Sequence, residues 1–248
     1  MPNIVPRGGS LVPVGKRSAA LERIRQAKPP AAVQPSPADL RRAALDAGRP
    51  RLLLAVDATA SREHAWAAAK SVTDALFAAV PDGLDVGLAV HGGSEVHTWL
   101  EPVAYARRLR DRAASVTCVA GRTRMVEMLD RARAVERLKV VVYVGDVFEE
   151  ELGQALEAAK ALRLRGCRIV VLHDTADPLA RSHGSAFAAI TDAGGGCVLP
   201  FETGSLPRLR EMLEALAVLA VGGVKMLRER QRALPGARLL LGYLGESG

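Results

Sequence analysis

The chain has 248 residues, of which 49% are hydrophobic and 4% aromatic, and its formal net charge is +7. This apolar content is ample for one large domain with extensions, and no fibre or repeat period is visible. The excess positive charge lies at the two ends, because residues 1–50 carry +6 and residues 208–248 carry +3, whereas residues 51–207 carry −2. A cationic nucleic-acid groove on the folded part is therefore not expected.

The cysteines predict a reducing compartment without a disulfide framework, because Cys118, Cys167 and Cys197 are odd in number and lack C-x-x-C spacing. Cys167 and Cys197 stand in apolar contexts typical of buried thiols. No N-terminal stretch is typical of a signal peptide. The longest apolar run, near residues 212–224, is too short to span a bilayer. We therefore expect a cytoplasmic protein.

Strand-length apolar runs alternate with stretches of helical periodicity from Arg51 onward. In chain order the predicted elements are strand 51–56, helix 61–80, strands 85–90 and 95–100, helices 105–115 and 124–135, strand 138–144, helix 149–165, strand 167–172, a helix within 178–193, strand 197–200 and helix 206–220. The glycines after His91 predict a hairpin. The pattern predicts a doubly wound α/β fold, with a mostly parallel central sheet, one antiparallel edge strand and helices on both faces.

Oxygen-bearing side chains follow two of the predicted strands. The first strand ends in Asp57, with hydroxyls at Thr59 and Ser61, and a later apolar strand is followed by Asp146. Thr123 stands in a loop between them in the sequence. If the two strands are parallel neighbours, these oxygens meet at the carboxyl edge of the sheet, where open α/β sheets bind their ligands. Oxygen ligands alone suit a hard divalent cation such as Mg²⁺.

Their order along the chain is similar to that of a known family. The run Asp57-Ala58-Thr59-Ala60-Ser61 resembles the D-x-[ST]-x-S motif of von Willebrand factor A-type domains. Thr123 resembles the isolated loop threonine of that family, and Asp146 resembles its last acidic ligand. The segment 187–196 resembles its late helix and Gly-Gly turn.

The resemblance covers residues 51–220 and divides the chain into three parts. Residues 1–50 form a Pro-rich basic arm, expected to be partly disordered or docked on a partner. Residues 221–248 form a C-terminal extension that either packs on the sheet or docks elsewhere. The chain departs from the family after Asp146, where Val147 replaces a frequent glycine.

The resemblance implies a metal-ion-dependent adhesion site without a catalytic centre. Its ligands would be Asp57, Thr59, Ser61, Thr123 and Asp146, holding Mg²⁺, with Mn²⁺ or Ca²⁺ as alternatives. An Asp or Glu of a partner protein would complete the coordination. The resemblance further implies an intracellular bacterial adaptor or scaffold, which in this family often works beside an AAA-type ATPase.

Three other interpretations stay open at this point. Asp57 and the hydroxyls after it could simply cap the following helix, since Asp, Ser and Thr are common N-cap residues. A Mg²⁺-dependent phosphatase-like hydrolase would use Asp57 as nucleophile and Asp146 as metal ligand, although Thr59 stands where such enzymes carry a second acid. Nucleic acid could bind the basic arms through salt-sensitive phosphate contacts.

Other polar side chains near the ends of the predicted strands are further candidates for the site. His91 and His97 flank the hairpin turn, where two exposed histidines are expected rather than a metal pair. His173, Asp174 and Asp177 follow another strand, and the pattern favours a plain polar loop at the rim of the site.

Overall fold

The computed structural model describes residues 48–59, 83–103, 120–201 and 206–246. Within these ranges one sheet contains the strands β1 (Arg51–Asp57), β2 (Asp85–Gly92), β3 (Glu95–Val103), β4 (Leu138–Gly145), β5 (Arg168–Asp174) and β6 (Cys197–Phe201). Their order across the sheet is β3-β2-β1-β4-β5-β6. All neighbours are parallel except β2 and β3, which are antiparallel. The predicted fold class, including the single antiparallel edge strand, is confirmed.

Helices connect and cover these strands. The described ones are α1 (Met125–Ala132), α2 (Leu152–Leu164), α3 (Pro178–Ser182), α4 (Gly184–Ala193), α5 (Leu206–Arg230) and α6 (Pro235–Tyr243). None of these helices has both the length and the apolar character needed to cross a bilayer. The predicted helices 61–80 and 105–115, and nearly all of the arm 1–50, lie outside the described residues.

The sheet has an apolar core on each face, which explains why its central strands read as continuous apolar runs. Leu52, Leu54 and Val56 of β1 pack on one face with α5 and α6. Leu53 and Ala55 pack on the other face with α1, α2 and α4. Helices thus cover both faces, so only the ends of the strands are left for polar side chains.

The C-terminal segment packs on the sheet. The boundary predicted at residue 220 falls inside α5, which continues to Arg230 across a kink at Gly223, where φ is 64°. Leu227 of α5 and Leu240 of α6 belong to the same apolar cluster as β1. Gly223 tolerates this backbone because it lacks a Cβ atom.

Candidate metal centre

Asp57 and Asp146 leave the sheet side by side at its carboxyl edge. Asp57 ends β1, and Asp146 directly follows β4. The two strands are hydrogen-bonded neighbours, with Val56 opposite Val144. Both carboxylates are buried, with exposed fractions of 0% for Asp57 and 9% for Asp146. Neighbouring strands lie about 4.8 Å apart, so two buried acids are brought to one place.

The turn after β1 is held by Asp57 itself. One carboxylate oxygen, Oδ1, accepts a hydrogen bond from the backbone N–H of Thr59 at 2.8 Å. This is the local bond that the capping interpretation expects from an Asp at this position. Thr59 is also buried, at 6% exposure. Ser61, the third residue of the motif, lies outside the described residues.

The loop that contains Thr123 is hydrogen-bonded to two other loops. The hydroxyl of Thr123, which is 3% exposed, accepts a hydrogen bond from the backbone N–H of Glu149 at 3.2 Å. On the other side, the N–H of Arg122 donates to Oγ of Ser94 in the β2–β3 turn at 2.9 Å. A Cβ atom at Gly121 would overlap the backbone of that turn, so only glycine permits this close approach. The loop therefore presents Thr123 at the edge that carries Asp146.

Asp146 carries the most informative atom of the site. Among the described residues, its Oδ1 is buried and makes no hydrogen bond. A buried acceptor without a partner costs about 1–3 kcal/mol, and more when it is charged. A bound cation would remove that cost, so the donor chemistry at this position fits a metal ligand.

His91 is a member of the site that the sequence-based interpretation missed. It was predicted to be exposed beside the hairpin turn, but it is fully buried, opposite Asp57 in the register of β1 and β2. Its Nδ1 lies 3.8 Å from Oδ1 of Asp57, and its Nε2 lies 3.0 Å from the hydroxyl of Tyr143. His97, by contrast, is exposed. The signal for His91 was its place at the end of an apolar strand.

The predicted polar loop after β5 is also wrong for its first two residues. His173 and Asp174 form the end of β5 and are buried, at 3% and 5% exposure. The Asp174 carboxylate accepts from the N–H of Ala176 at 3.1 Å. Asp177 is exposed and caps α3 by accepting from the N–H of Leu179 at 2.7 Å.

Glu150 is a further acid that sequence reasoning did not single out. Its Oε1 accepts from the N–H of Met125 at 2.5 Å, and its Oε2 accepts from the N–H of Val126 at 3.2 Å. Burial raises the pKa of Glu150, and hydrogen bonds from Val126, Met125 and Thr123 partly offset that rise. Its signal in the sequence, an acid four residues after Asp146, is too common to be specific.

The site, so far as the structure describes it, is not a histidine or cysteine centre. Within the described ranges, no group of three or more His, Cys, Asp or Glu side chains is placed to hold a metal ion. The candidate donors are two carboxylates together with the hydroxyls of Thr59 and Thr123. Such a set fits a hard cation that keeps several of its waters.

No family model matches the chain, and no curated protein matches it either. Solved structures do match the chain. The von Willebrand factor type A protein from Catenulispora acidiphila superposes with a TM-score of 0.55 at 17% identity, over 68% of this chain and 43% of that one. The chain has the von Willebrand factor A-type fold. The predicted resemblance is thus confirmed at the level of the fold.

Two further structures share this A-type fold. Proximal thread matrix protein 1 from the mussel byssus, in a form whose adhesion-site motif is occupied by zinc, has a TM-score of 0.51 at 18% identity, over 68% of this chain and 46% of that one. The SpRpn10 A domain has a TM-score of 0.51 at 12% identity, over 64% and 94%. The chain spans less than half the length of the first two structures.

Proposed function

We propose that this chain is a cation-dependent protein-binding module. Asp57, Thr59, Ser61, Thr123 and Asp146 would hold one Mg²⁺, with Mn²⁺ or Ca²⁺ as alternatives. The observation that carries the proposal is the buried Oδ1 of Asp146, which makes no hydrogen bond among the described residues. The zinc-occupied motif of the mussel protein, on the same fold, supports it.

The chemistry of such a site favours recognition over catalysis. Two carboxylates and uncharged hydroxyls do not saturate an octahedral cation, so a coordination position is left for an outside ligand. An Asp or Glu of a partner protein supplies both the oxygen and the negative charge, and the bond is charge-assisted. The proposal therefore assigns no nucleophile and no general base to this chain.

The surface beside the site supports a protein partner. Four large hydrophobic side chains are exposed within the described residues, and two of them lie at this edge of the sheet. Leu152, at 36% exposure, begins α2, and Leu179, at 65%, lies in the first turn of α3. A partner that places an acid on the cation would cover both leucines. Leu179→Ser should then weaken partner capture without changing the affinity for the cation.

The wider role is proposed from the family resemblance of the sequence. A cytoplasmic adaptor or scaffold, working beside an AAA-type ATPase, matches the combination of one interaction site with a basic Pro-rich arm. Affinity purification of the full chain from cell lysate without crosslinking, in Mg²⁺ or in chelator, tests it. An ATPase subunit should be recovered in Mg²⁺ only, and recovery that is equal in both conditions would contradict the adhesion mechanism.

Cation binding is tested by isothermal titration of the metal-free protein with Mg²⁺ and Mn²⁺. The wild type should bind one ion per chain, and Asp146→Asn should lose that binding while staying folded. Asp174→Asn is the matched control, because Asp174 is also a buried acid at the end of a neighbouring strand but lies outside the proposed ligand set. Equal loss in both variants would show a general effect of removing buried charge.

A further inference from the structure

Glu150 connects the loop after β4 to the start of α1. The N-cap residue of α1, Arg124, makes no side-chain capping bond, so the first N–H groups of the helix need another acceptor. Glu150 supplies it through its bonds to Met125 and Val126. A carboxylate at a helix N-terminus is also favoured by the helix dipole.

The same loop binds the hydroxyl of Thr123, which directly precedes the N-cap residue of α1. The N–H of Glu149 donates to Oγ1 of Thr123 at 3.2 Å. Burial raises the pKa of Glu150, and hydrogen bonding from the Thr123 side chain is one of the causes that lower it, which pairs this hydroxyl with the Glu150 carboxylate. Since an ionised carboxylate only accepts, the Thr123 hydroxyl is the donor in the second bond. A hydroxyl has one hydrogen and two lone pairs. After both bonds, one lone pair of Thr123 is left.

We propose that Glu150 is a positioning residue of the cation site, which fixes the Thr123 hydroxyl so that its remaining lone pair is offered to the metal. This inference rests on the proposed function. A hydroxyl whose proton is held by a carboxylate is oriented in advance and is a better ligand. Loss of such an outer partner weakens metal affinity by about 10–100-fold in characterised sites.

A purely structural role predicts something different. If Glu150 only caps α1, its replacement lowers the free energy of unfolding but leaves the dissociation constant of the cation unchanged. If it acts only through its negative charge, replacement weakens binding to the same extent whether or not Thr123 is present. A double-mutant cycle with Thr123 separates both of these roles from the proposed positioning role.

The test is Mn²⁺ titration of the full chain by calorimetry, for the wild type, Glu150→Gln, Thr123→Val and the double variant. Gln keeps a carbonyl acceptor for α1, so the fold is retained, and circular dichroism checks this. Glu150→Gln should weaken Mn²⁺ binding about tenfold or more in the wild type but have no further effect after Thr123→Val. Thr123→Ala replaces Thr123→Val if the latter does not fold.

Glu151→Gln is the matched control, because Glu151 is exposed and makes no side-chain capping bond to α2. It should leave the affinity unchanged. Unchanged affinity in Glu150→Gln, or an equal effect in both backgrounds, would overturn the positioning role while leaving the cation site in place. Absence of binding by the wild type would instead overturn the proposed function, and this inference with it.

Discussion

The imidazole of His173 holds the main chain of Asp146. Its Nε2 lies 3.1 Å from the carbonyl oxygen of Asp146 and 3.0 Å from that of Ala180. Both oxygens can only accept, so Nε2 carries a proton and donates to both. The ring packs edge-on against Phe187, with centroids 4.9 Å apart. The end of β4 is thus tied to α3, and the Asp146 carboxylate is attached to a fixed backbone.

Replacing this ring tests how much the tie contributes. His173→Phe keeps an aromatic ring against Phe187 but leaves the carbonyl oxygens of Asp146 and Ala180 without their donor. We expect a loss of about 1–3 kcal/mol in the free energy of unfolding, the usual cost of unsatisfied buried acceptors. Urea unfolding of the metal-free protein measures it.

His97→Gln is the control for that experiment, since His97 is exposed, and its effect should stay within about 0.5 kcal/mol. His173→Gln, which retains an N–H donor, should recover part of the loss. If His173→Phe were as stable as the wild type, the two hydrogen bonds would not hold the Asp146 segment.

Gly145 is required by the ring of Tyr143. A Cβ atom at residue 145 would overlap that ring, so Gly145→Ala should destabilise the protein by about 1–3 kcal/mol through overpacking. In a Tyr143→Leu background the same change should cost clearly less, because the ring is gone. Thermal and urea unfolding of the four proteins give the coupling energy.

The control uses the same substitution where space exists. Gly153 lies in α2, and the nearest atom to a Cβ there would be a side-chain oxygen 3.9 Å away. Gly153→Ala should stabilise the protein by about 0.5–1 kcal/mol through helix propensity. Equal losses at residues 145 and 153 would refute the steric explanation.

The pKa of Glu150 predicts a specific pH dependence. Burial raises it above the ordinary value of 4.5, so the folded protein binds this proton more tightly than the unfolded chain does. The stability contributed by the protonated form is present below pH 4.5. It is lost as the pH rises through the pKa that Glu150 has in the folded protein. Glu150→Gln removes this dependence.

The measurement is urea unfolding of metal-free wild type and Glu150→Gln between pH 4 and pH 7. The wild type should lose stability relative to the variant as the pH rises through this window. If the difference in the free energy of unfolding between the two proteins stays constant, or grows in favour of the wild type, burial does not dominate the pKa of Glu150.

The two described cysteines should be unreactive. Burial raises the pKa of Cys167 and of Cys197 to about 12, so almost no thiolate exists near neutral pH. In a Cys118→Ser variant, which removes the cysteine outside the described residues, a thiol reagent at pH 8 should label native protein at least about 100 times more slowly than urea-unfolded protein. Rapid labelling of the native protein would contradict the burial of these thiols.

Much of the fold could be predicted because β1 and β4 are covered on both faces, which makes each an uninterrupted apolar run. The ends of these runs located Asp57 and Asp146. Register across the sheet could not be predicted, because partners in different strands are remote in sequence. For that reason the sequence pattern predicts an exposed turn residue at His91, which instead lies buried opposite Asp57.

The roles of Glu150 and His173 could not be predicted either, because their hydrogen-bond partners lie in other loops. Glu150 contacts the backbone of Val126, 24 residues away, and His173 contacts that of Asp146, 27 residues away. Nothing near Glu150 or His173 in sequence indicates these partners. The sequence pattern predicts a last helix over 206–220. The chain instead continues as α5 beyond residue 220, since Leu227 buries its side chain in the core.

The most direct test of the cation site is a crystal structure of the full chain grown with Mn²⁺, with anomalous diffraction data that locate the metal. We predict one Mn²⁺ peak at the proposed ligand set of Asp57, Thr59, Ser61, Thr123 and Asp146, with direct metal–oxygen distances of about 2.0–2.3 Å. An anomalous map without a peak at this edge of the sheet, at Mn²⁺ concentrations that saturate the protein, would contradict it.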